Sequence, residues 1–261
     1  MFGGNQFWWA GLLILILFIG LNIGVVLLRK RPDLSYAIAY TIAFYLLIYK
    51  TIEYIYWQAI GLHIKIPVEF SAMSYFLFGI FITFKIKKFD QFPVFAAILA
   101  GTMYSVTFWI APDSHIAGGE SPFLSAMAIV NHHLLYFAGM LMLANVRKFS
   151  YKYAWQHVLC TGVLVGYSWL IYSLTTYAQD VGKPILIEIT DGSILNYLAA
   201  NGSIPTWILP IYYVGCIILF SALVCGFYFL NNVCAKKRIS LSLPEDYFPM
   251  TLTDTYKLAR N

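Results

Sequence analysis

Three consecutive polar residues, Asn131, His132 and His133, lie within an otherwise apolar run that extends from Met127 to Leu143. A polar side chain in hydrocarbon has no water to bond, so it costs free energy unless a neighbouring group satisfies it. An imidazole also titrates near neutral pH, which suits it to proton transfer and ligand binding. These residues therefore predict packing between helices, proton or ion handling, or chemistry on a lipid.

Four further residues whose side chains could take part in catalysis or ion binding lie earlier in the chain, also inside apolar stretches. They are Lys50, Glu53, Glu69 and Ser71. Lys50 and Glu53 are three residues apart, so on a helix they share a face and can form an ion pair. A serine becomes a nucleophile when a base removes its proton, and histidine is the usual base.

The composition indicates that these side chains lie in a lipid bilayer. Hydrophobic residues make up 60% of the 261 residues and charged residues only 11%, whereas a soluble domain carries about 25% charged residues. The sequence therefore predicts an integral membrane protein. The net charge of +5 resides largely in short loops, so it does not indicate nucleic-acid binding.

Apolar runs of about 20 residues, the length that spans a bilayer as a helix, predict an all-α bundle of seven transmembrane helices. Pro67, Pro122 and Pro205 fall where helices are expected to start, because the first turn needs no N–H from its first residue. The predicted spans are Phe7 to Leu28, Leu34 to Gly61, Pro67 to Phe84, Gln91 to Ala111, Pro122 to Ala144, Tyr153 to Tyr177, and Pro205 to Asn231.

Basic residues cluster after the first, third, fifth and seventh predicted spans, whereas the alternate connections hold only Lys65 and Lys183. Cytoplasmic loops carry the excess of Lys and Arg, so we expect the N-terminus outside and the C-terminus in the cytoplasm of a cell-membrane protein. Residues 1–234 are predicted to form the seven-helix domain and residues 235–261 a polar cytoplasmic tail. The two longest outer loops are predicted at 113–121 and 179–204.

This topology brings the polar residues to similar depths. His132 lies about 15 Å below the outer end of its span, at 1.5 Å per residue, and Lys50, Glu53, Glu69 and Ser71 also fall in the outer half. Polar residues inside spans usually face a bundle interior or a water-filled cavity. We therefore predict a polar outer-half cavity, with Asn131 and His133 also in its lining. Because His133 lies 100° around the helix from His132, we expect one of the two to bond a neighbouring helix.

Two kinds of chemistry suit this constellation. In the first, Ser71 is a nucleophile, His132 its base and Glu69 a carboxylate that orients the imidazole, while Lys50 or a backbone N–H stabilises an oxyanion. In the second, the same groups carry protons or bind a cation in a transporter. A retinal protein is excluded because the predicted last span has no lysine. The sequence has no zinc-protease spacing and no glycine-rich phosphate loop, so we expect neither metal nor cofactor.

The segment Ile66 to Ser74 resembles the Pro-Leu-Glu-Leu-Cys signature of the YwaF-like integral membrane proteins. The order and spacing of further short motifs extend the resemblance over most of the chain from the second span onward. These motifs are Ala111-Pro112-Asp113, Asn131-His132, Ser193 to Leu198, and Ile204 to Leu209.

The resemblance implies a function as well as a fold. The family is similar to a eukaryotic multispan acyltransferase that moves fatty acyl chains between phospholipids, in which a cysteine and a histidine are implicated in catalysis. Ser71 occupies the cysteine position, His132 the histidine position, and Glu69 matches the signature glutamate. A serine there implies either an enzyme with a hydroxyl nucleophile or a protein that binds lipid without catalysis.

Membrane lipids are accordingly the expected partners, and the sequence leaves the oligomeric state open. The four cysteines, Cys160, Cys216, Cys225 and Cys234, lie in or beside predicted spans without the spacing of a disulfide framework. We expect them to be buried small apolar residues.

Overall fold

The computed structural model of the protein describes residues 7–59, 66–86, 89–116, 122–175, 182–197, 205 and 207–239. Regular structure in these ranges is entirely helical, which confirms the predicted all-α class. The α-helices are α1 (Trp8–Leu27), α2 (Pro32–Ala59), α3 (Phe70–Thr83), α4 (Gln91–Ile110), α5 (Pro112–Ile116), α6 (Pro122–Leu141), α7 (Trp155–Leu174), α8 (Ile185–Thr190) and α9 (Ile208–Ile239). Short 3-10 helices cover Leu28–Lys30, Tyr151–Tyr153 and Ser193–Tyr197, and a π-helix covers Met142–Val146.

Six of the helices in the described ranges are long and apolar enough to cross a membrane: α1, α2, α4, α6, α7 and α9. The helix at the third predicted span, α3, has 14 residues. At 1.5 Å per residue it is about 21 Å long, whereas the hydrocarbon core is about 30 Å thick. Length and hydropathy thus support six of the seven predicted spans.

Several helix boundaries differ from the prediction. Pro122 does begin α6, but α3 begins at Phe70 and α9 at Ile208, each three residues after the proline predicted to start it. At its other end α9 continues to Ile239, into the predicted tail. Alanine, lysine and arginine are good helix formers, and cations are favourable at a helix C-terminus. The remainder of the tail, 240–261, lies outside the described residues, as do Lys65, 117–121, 176–181 and 198–204 in the predicted outer connections.

The chain divides into two compact units. The first contains residues 1–47, 74–149 and 230–261, and therefore α1, α4, α5 and α6 with parts of α2, α3 and α9. The second contains residues 48–73 and 150–229, and therefore α7, α8 and most of α9.

Small residues bring α4 and α6 into close contact in the first unit. A Cβ added at Gly101 would lie 2.5 Å from the Tyr136 Cβ, and one added at Gly139 would lie 2.9 Å from the Ile98 Cγ1. Position numbers rise along α6 as they fall along α4, so the two helices are antiparallel. Without a hydrophobic driving force between helices in lipid, this close backbone approach is a main source of packing energy.

Buried hydrogen bonds join four helix ends at one end of the first unit. The Asn145 Nδ2 donates to the Val25 carbonyl at 2.9 Å and to the Ser35 Oγ at 3.1 Å. The Arg147 guanidinium pairs with the buried Asp90 carboxylate at 3.0 Å. These contacts gather the ends of α1 and α6 and the starts of α2 and α4.

Asn231 on α9 completes this end of the first unit. Its Oδ1 accepts the Phe149 N–H at 2.7 Å, and its Nδ2 donates to the carbonyls of Leu143 and Arg147 at 2.6 and 2.7 Å. The last carbonyls of a helix have no partner within the helix, so one buried asparagine satisfies groups that would otherwise be orphaned beyond α6.

Side-chain hydrogen bonds to the backbone and an aromatic contact join elements of the second unit. The Ser168 hydroxyl of α7 donates to the Val68 carbonyl at 3.1 Å. The Tyr212 hydroxyl of α9 donates to the Ile189 carbonyl of α8 at 2.9 Å. The His157 ring packs edge-on against Phe227 with centroids 5.5 Å apart.

The cysteine prediction is wrong with respect to burial. All four cysteines are free thiols, and none is buried: Cys225 is exposed and the other three are half-buried. A small apolar side chain on a helix in lipid loses nothing by facing outward, because lipid tails are as apolar as the protein core.

Candidate functional site

His132 lies in the middle of α6, with one ring nitrogen committed to the helix backbone. Its Nδ1 lies 2.8 Å from the Ala128 carbonyl oxygen. A carbonyl only accepts, so Nδ1 must carry the proton, and in the neutral ring Nε2 carries the lone pair. The ring is half-buried. Its tautomer is therefore the one required of a base that acts through Nε2.

Aromatic rings fix the plane of this imidazole. The Tyr104 ring of α4 stacks on it with centroids 3.8 Å apart and planes 7° apart. The Tyr75 ring of α3 meets it edge-on at 5.3 Å. The two rings therefore hold the imidazole of His132 in one orientation.

Tyr104 also contacts a third histidine, on the short helix that follows α4. The His115 ring lies edge-on to Tyr104 at 5.1 Å and stacks on Phe108 at 5.1 Å. Burial lowers the pKa of His115, so the neutral form is favoured there.

His133 has a different environment and bonds a neighbouring helix. Its Nδ1 lies 2.7 Å from the Ile129 carbonyl, and its Nε2 lies 3.3 Å from the Ser105 Oγ of α4. The residue is 3% exposed. The Ser105 hydroxyl donates to the Gly101 carbonyl at 2.8 Å. With a proton on Nδ1 the neutral ring has only an acceptor at Nε2, so the one proton of Ser105 is shared between the Gly101 carbonyl and the ring. This is the bond between helices that the sequence predicted for one of the two histidines.

Asn131 is completely buried and only partly satisfied. Its Oδ1 accepts the Tyr45 hydroxyl of α2 at 3.3 Å. Its Nδ2 has no hydrogen-bond partner within the described ranges. A buried donor left in this condition costs about 1–3 kcal/mol, and such a group usually indicates an additional water or ligand.

Lys50 and Glu53 form the predicted pair within α2. The Lys50 Nζ lies 2.5 Å from the Glu53 Oε2, and the two side chains are 14% and 19% exposed. The structure confirms the predicted pair. The sequence could predict it because residues three apart on a helix are neighbours whatever the tertiary structure.

Glu69 and Ser71 flank the start of α3 in the second unit. The Glu69 Oε2 accepts the Ile185 N–H at 3.4 Å and thereby joins the start of α8 to the start of α3. Ser71 is the second residue of α3 and is half-buried.

The predicted residues thus fall into two groups. Asn131, His132 and His133 belong to the first unit, and the second contains Lys50, Glu53, Glu69 and Ser71. The association of Ser71 with His132 remains a prediction. Sequence reasoning did not identify the partners Tyr45, Tyr75, Tyr104 and Ser105. The adjacent polar residues Tyr104 and Ser105 inside the fourth apolar run were the available signal.

A metal site has no support in the part of the chain that the structure describes, where no three His, Cys, Asp or Glu side chains cluster to hold an ion. The composition, the six apolar helices and the polar groups buried between them indicate a multi-pass membrane protein. Comparisons with protein-family models, curated proteins and solved structures find no significant match to the chain.

Proposed function

We propose that this protein is a multi-pass membrane enzyme that transfers or hydrolyses acyl chains of membrane lipids. Ser71 is the nucleophile, His132 the general base, and Glu69 a carboxylate that orients or stabilises the imidazole. The observation that carries the proposal is the His132 ring. Its Nδ1 is bonded to the Ala128 carbonyl, so Nε2 is the basic nitrogen, and the stacked Tyr104 ring holds the plane of the imidazole.

In the proposed reaction the Ser71 Oγ forms a bond to the ester carbonyl carbon, while its proton passes to the Nε2 of His132. The bond from that carbon to the alcohol oxygen of the lipid then breaks, and the proton goes from Nε2 to the departing oxygen. Water, or the hydroxyl of a second lipid, attacks the acyl-serine and gives its proton to Nε2. Departure of the Ser71 oxygen, which regains that proton, completes hydrolysis or transfer.

Membership of the YwaF-like family is part of the proposal. The resemblance places Ser71 at the position of the family cysteine and His132 at that of its histidine. A hydroxyl needs a better placed base than a thiolate does, and the bonded Nδ1 and stacked ring of His132 support its proposed role as that base.

Seven crossings with the N-terminus outside are the proposed topology, and the cell membrane is the proposed location. The connections within the first unit support an additional crossing by α3. Asn145 bonds Ser35 near the start of α2, and Arg147 pairs with Asp90 just before α4. Since α2 and α4 both start at this end, the chain must return between them. Helix α3 contacts α2, where a Cβ added at Gly79 would lie 2.9 Å from the Leu47 Cβ.

The test is turnover of a phospholipid with a labelled acyl chain by purified protein in lipid nanodiscs. Ser71→Ala and His132→Ala should each abolish release or transfer of the label. Ser71→Cys should retain activity, because a thiol can replace the hydroxyl as nucleophile. Ser105→Ala is the matched control, because Ser105 also lies beside a histidine. Unchanged turnover in Ser71→Ala, or loss in Ser105→Ala alone, would refute the assignment.

The Lys50–Glu53 pair favours a second candidate, an ion-coupled carrier. Two charges with side chains 14% and 19% exposed are retained inside an apolar helix, where charged residues commonly mark ion pathways. This candidate predicts that protein in sealed vesicles dissipates an imposed pH gradient and that Lys50→Met abolishes the flux. Gradient dissipation without lipid turnover would select the carrier, and lipid binding with neither activity would select a non-catalytic lipid-binding protein.

A further inference from the structure

The buried carboxamide of Asn131 lies beside the proposed base with its donor group unused. The residue is 0% exposed, and its Nδ2 finds no acceptor within the described ranges. Other buried asparagines of the first unit are satisfied. Asn145 donates to Val25 and Ser35, and Asn231 donates to Leu143 and Arg147. Asn131 therefore retains donor capacity that these asparagines use for structure.

Tyr45 determines how this carboxamide is oriented. Its hydroxyl donates to the Oδ1 of Asn131 at 3.3 Å, so the oxygen end of the amide is the end engaged by Tyr45. The two N–H bonds of Nδ2 must then point away from the oxygen that Tyr45 occupies. A buried donor held in this manner is available to an acceptor other than Tyr45.

We propose that the Asn131 carboxamide donates a hydrogen bond to the carbonyl oxygen of the bound lipid ester and to the oxyanion that this oxygen becomes. The inference rests on the proposed function and extends it to substrate recognition. Consecutive residues of a helix lie 100° apart around its axis, so Asn131 and His132 open onto adjacent faces of α6. One would polarise the carbonyl while the other activates the nucleophile.

Physical reasons favour an ester carbonyl over other ligands. Asn131 lies in an apolar run of α6, and Nδ2 is a neutral donor that needs no counter-charge. A donor aimed at developing negative charge is worth most where water is excluded. Removal of one such donor typically lowers kcat by about 10²- to 10³-fold while substrate binding changes little.

The experiment compares two asparagines that each bond a tyrosine on another helix. Asn131→Leu removes the unused donor. Asn22→Leu is the matched control, because the Asn22 Oδ1 accepts the Tyr136 hydroxyl at 2.8 Å while its Nδ2 is already bonded to the Phe18 carbonyl. Asn131→Ser serves as a second variant if the leucine variant does not fold. Both positions are assayed with 4-nitrophenyl decanoate for turnover and with a decyl trifluoromethyl ketone for ligand-induced thermal stabilisation.

We expect Asn131→Leu to lower kcat by about 100-fold with KM changed less than about threefold, and to lose stabilisation by the ketone. Asn22→Leu should retain both properties at temperatures where it is folded. The inference would be overturned if Asn131→Leu and Asn22→Leu lost activity and ketone stabilisation equally. It would also be overturned if Asn131→Leu kept full stabilisation by the ketone, in which case Nδ2 binds only a buried water. If wild-type protein turns over neither this ester nor the labelled phospholipid, the proposed function fails, and ketone stabilisation alone then decides the inference. Wild-type protein that is not stabilised overturns it.

Discussion

The contact between α4 and α6 at Gly101 yields the sharpest prediction about stability. A Cβ at this position would lie 2.5 Å from the Tyr136 Cβ and 2.7 Å from the His132 carbonyl oxygen. Neither atom can rotate away, since one is bonded to the main chain and the other belongs to it. In Gly101→Ala the two helices must therefore move apart, which loosens the seam that holds the His132 ring against Tyr104.

The magnitude follows from two opposing effects. Overpacking of a well-packed interior costs about 1–3 kcal/mol, and a backbone clash belongs at the upper end. Alanine in place of a helical glycine returns about 1 kcal/mol. The net destabilisation of Gly101→Ala is thus about 2 kcal/mol, which lowers Tm by about 4–8 °C for a chain of this size.

The assay is thermal unfolding of purified protein in detergent, followed by tryptophan fluorescence. Gly20→Ala is the control in the same unit, because a Cβ there meets nothing within 4 Å. That variant should match or exceed the wild-type Tm, since only the gain in helix propensity applies. Equal Tm values for Gly101→Ala and Gly20→Ala would refute the argument that close backbone approach sustains the α4–α6 contact.

Further predictions concern buried polar groups and pH. Asn231→Leu removes three hydrogen bonds of a buried side chain and should lower stability by at least about 2 kcal/mol, whereas Asn232→Leu at the exposed neighbouring position should not. Arg147→Met removes the guanidinium that pairs with the buried Asp90 carboxylate and should cost about 3–5 kcal/mol, with partial recovery in the Asp90→Asn double variant. Because burial lowers the pKa of His115, the unfolded chain binds its proton first as pH falls. The contribution of neutral His115 to the free energy of unfolding is therefore fully present above about pH 6.5 and declines below it. A His115→Phe variant should show a flatter dependence of Tm on pH, and an unchanged profile would contradict this.

Hydropathy and helix-start chemistry account for the part of the fold that the sequence predicts well. Span four was predicted to start at Gln91 and span five at Pro122, and α4 and α6 begin at those residues. The short helices α5 and α8 were not predicted, because five or six residues are too few to show a helical period. The late start of α3 at Phe70 was also missed, since a proline is compatible with a bend before the helix as well as with its first turn.

At the candidate site, contacts within one helix could be predicted from the sequence, whereas contacts between helices could not. The Lys50–Glu53 pair follows from helix geometry alone, and the structure contains it. The bond between Tyr45 and Asn131 joins residues 86 positions apart, and no periodicity within either helix specifies which helices become neighbours. The aromatic setting of His132 depends likewise on the packing of α3 and α4 against α6.

The helical period also explains why three adjacent polar residues have three different environments. Successive side chains project 100° apart, so Asn131 meets Tyr45 of α2, His132 meets Tyr75 of α3 and Tyr104 of α4, and His133 meets Ser105 of α4. Both ring nitrogens of His133 have protein partners, which suits a structural role. At Asn131 one donor remains without a partner in the described ranges, and His132 bonds its own helix through Nδ1. His133 thus anchors the helix that carries the two residues to which the proposals assign chemistry.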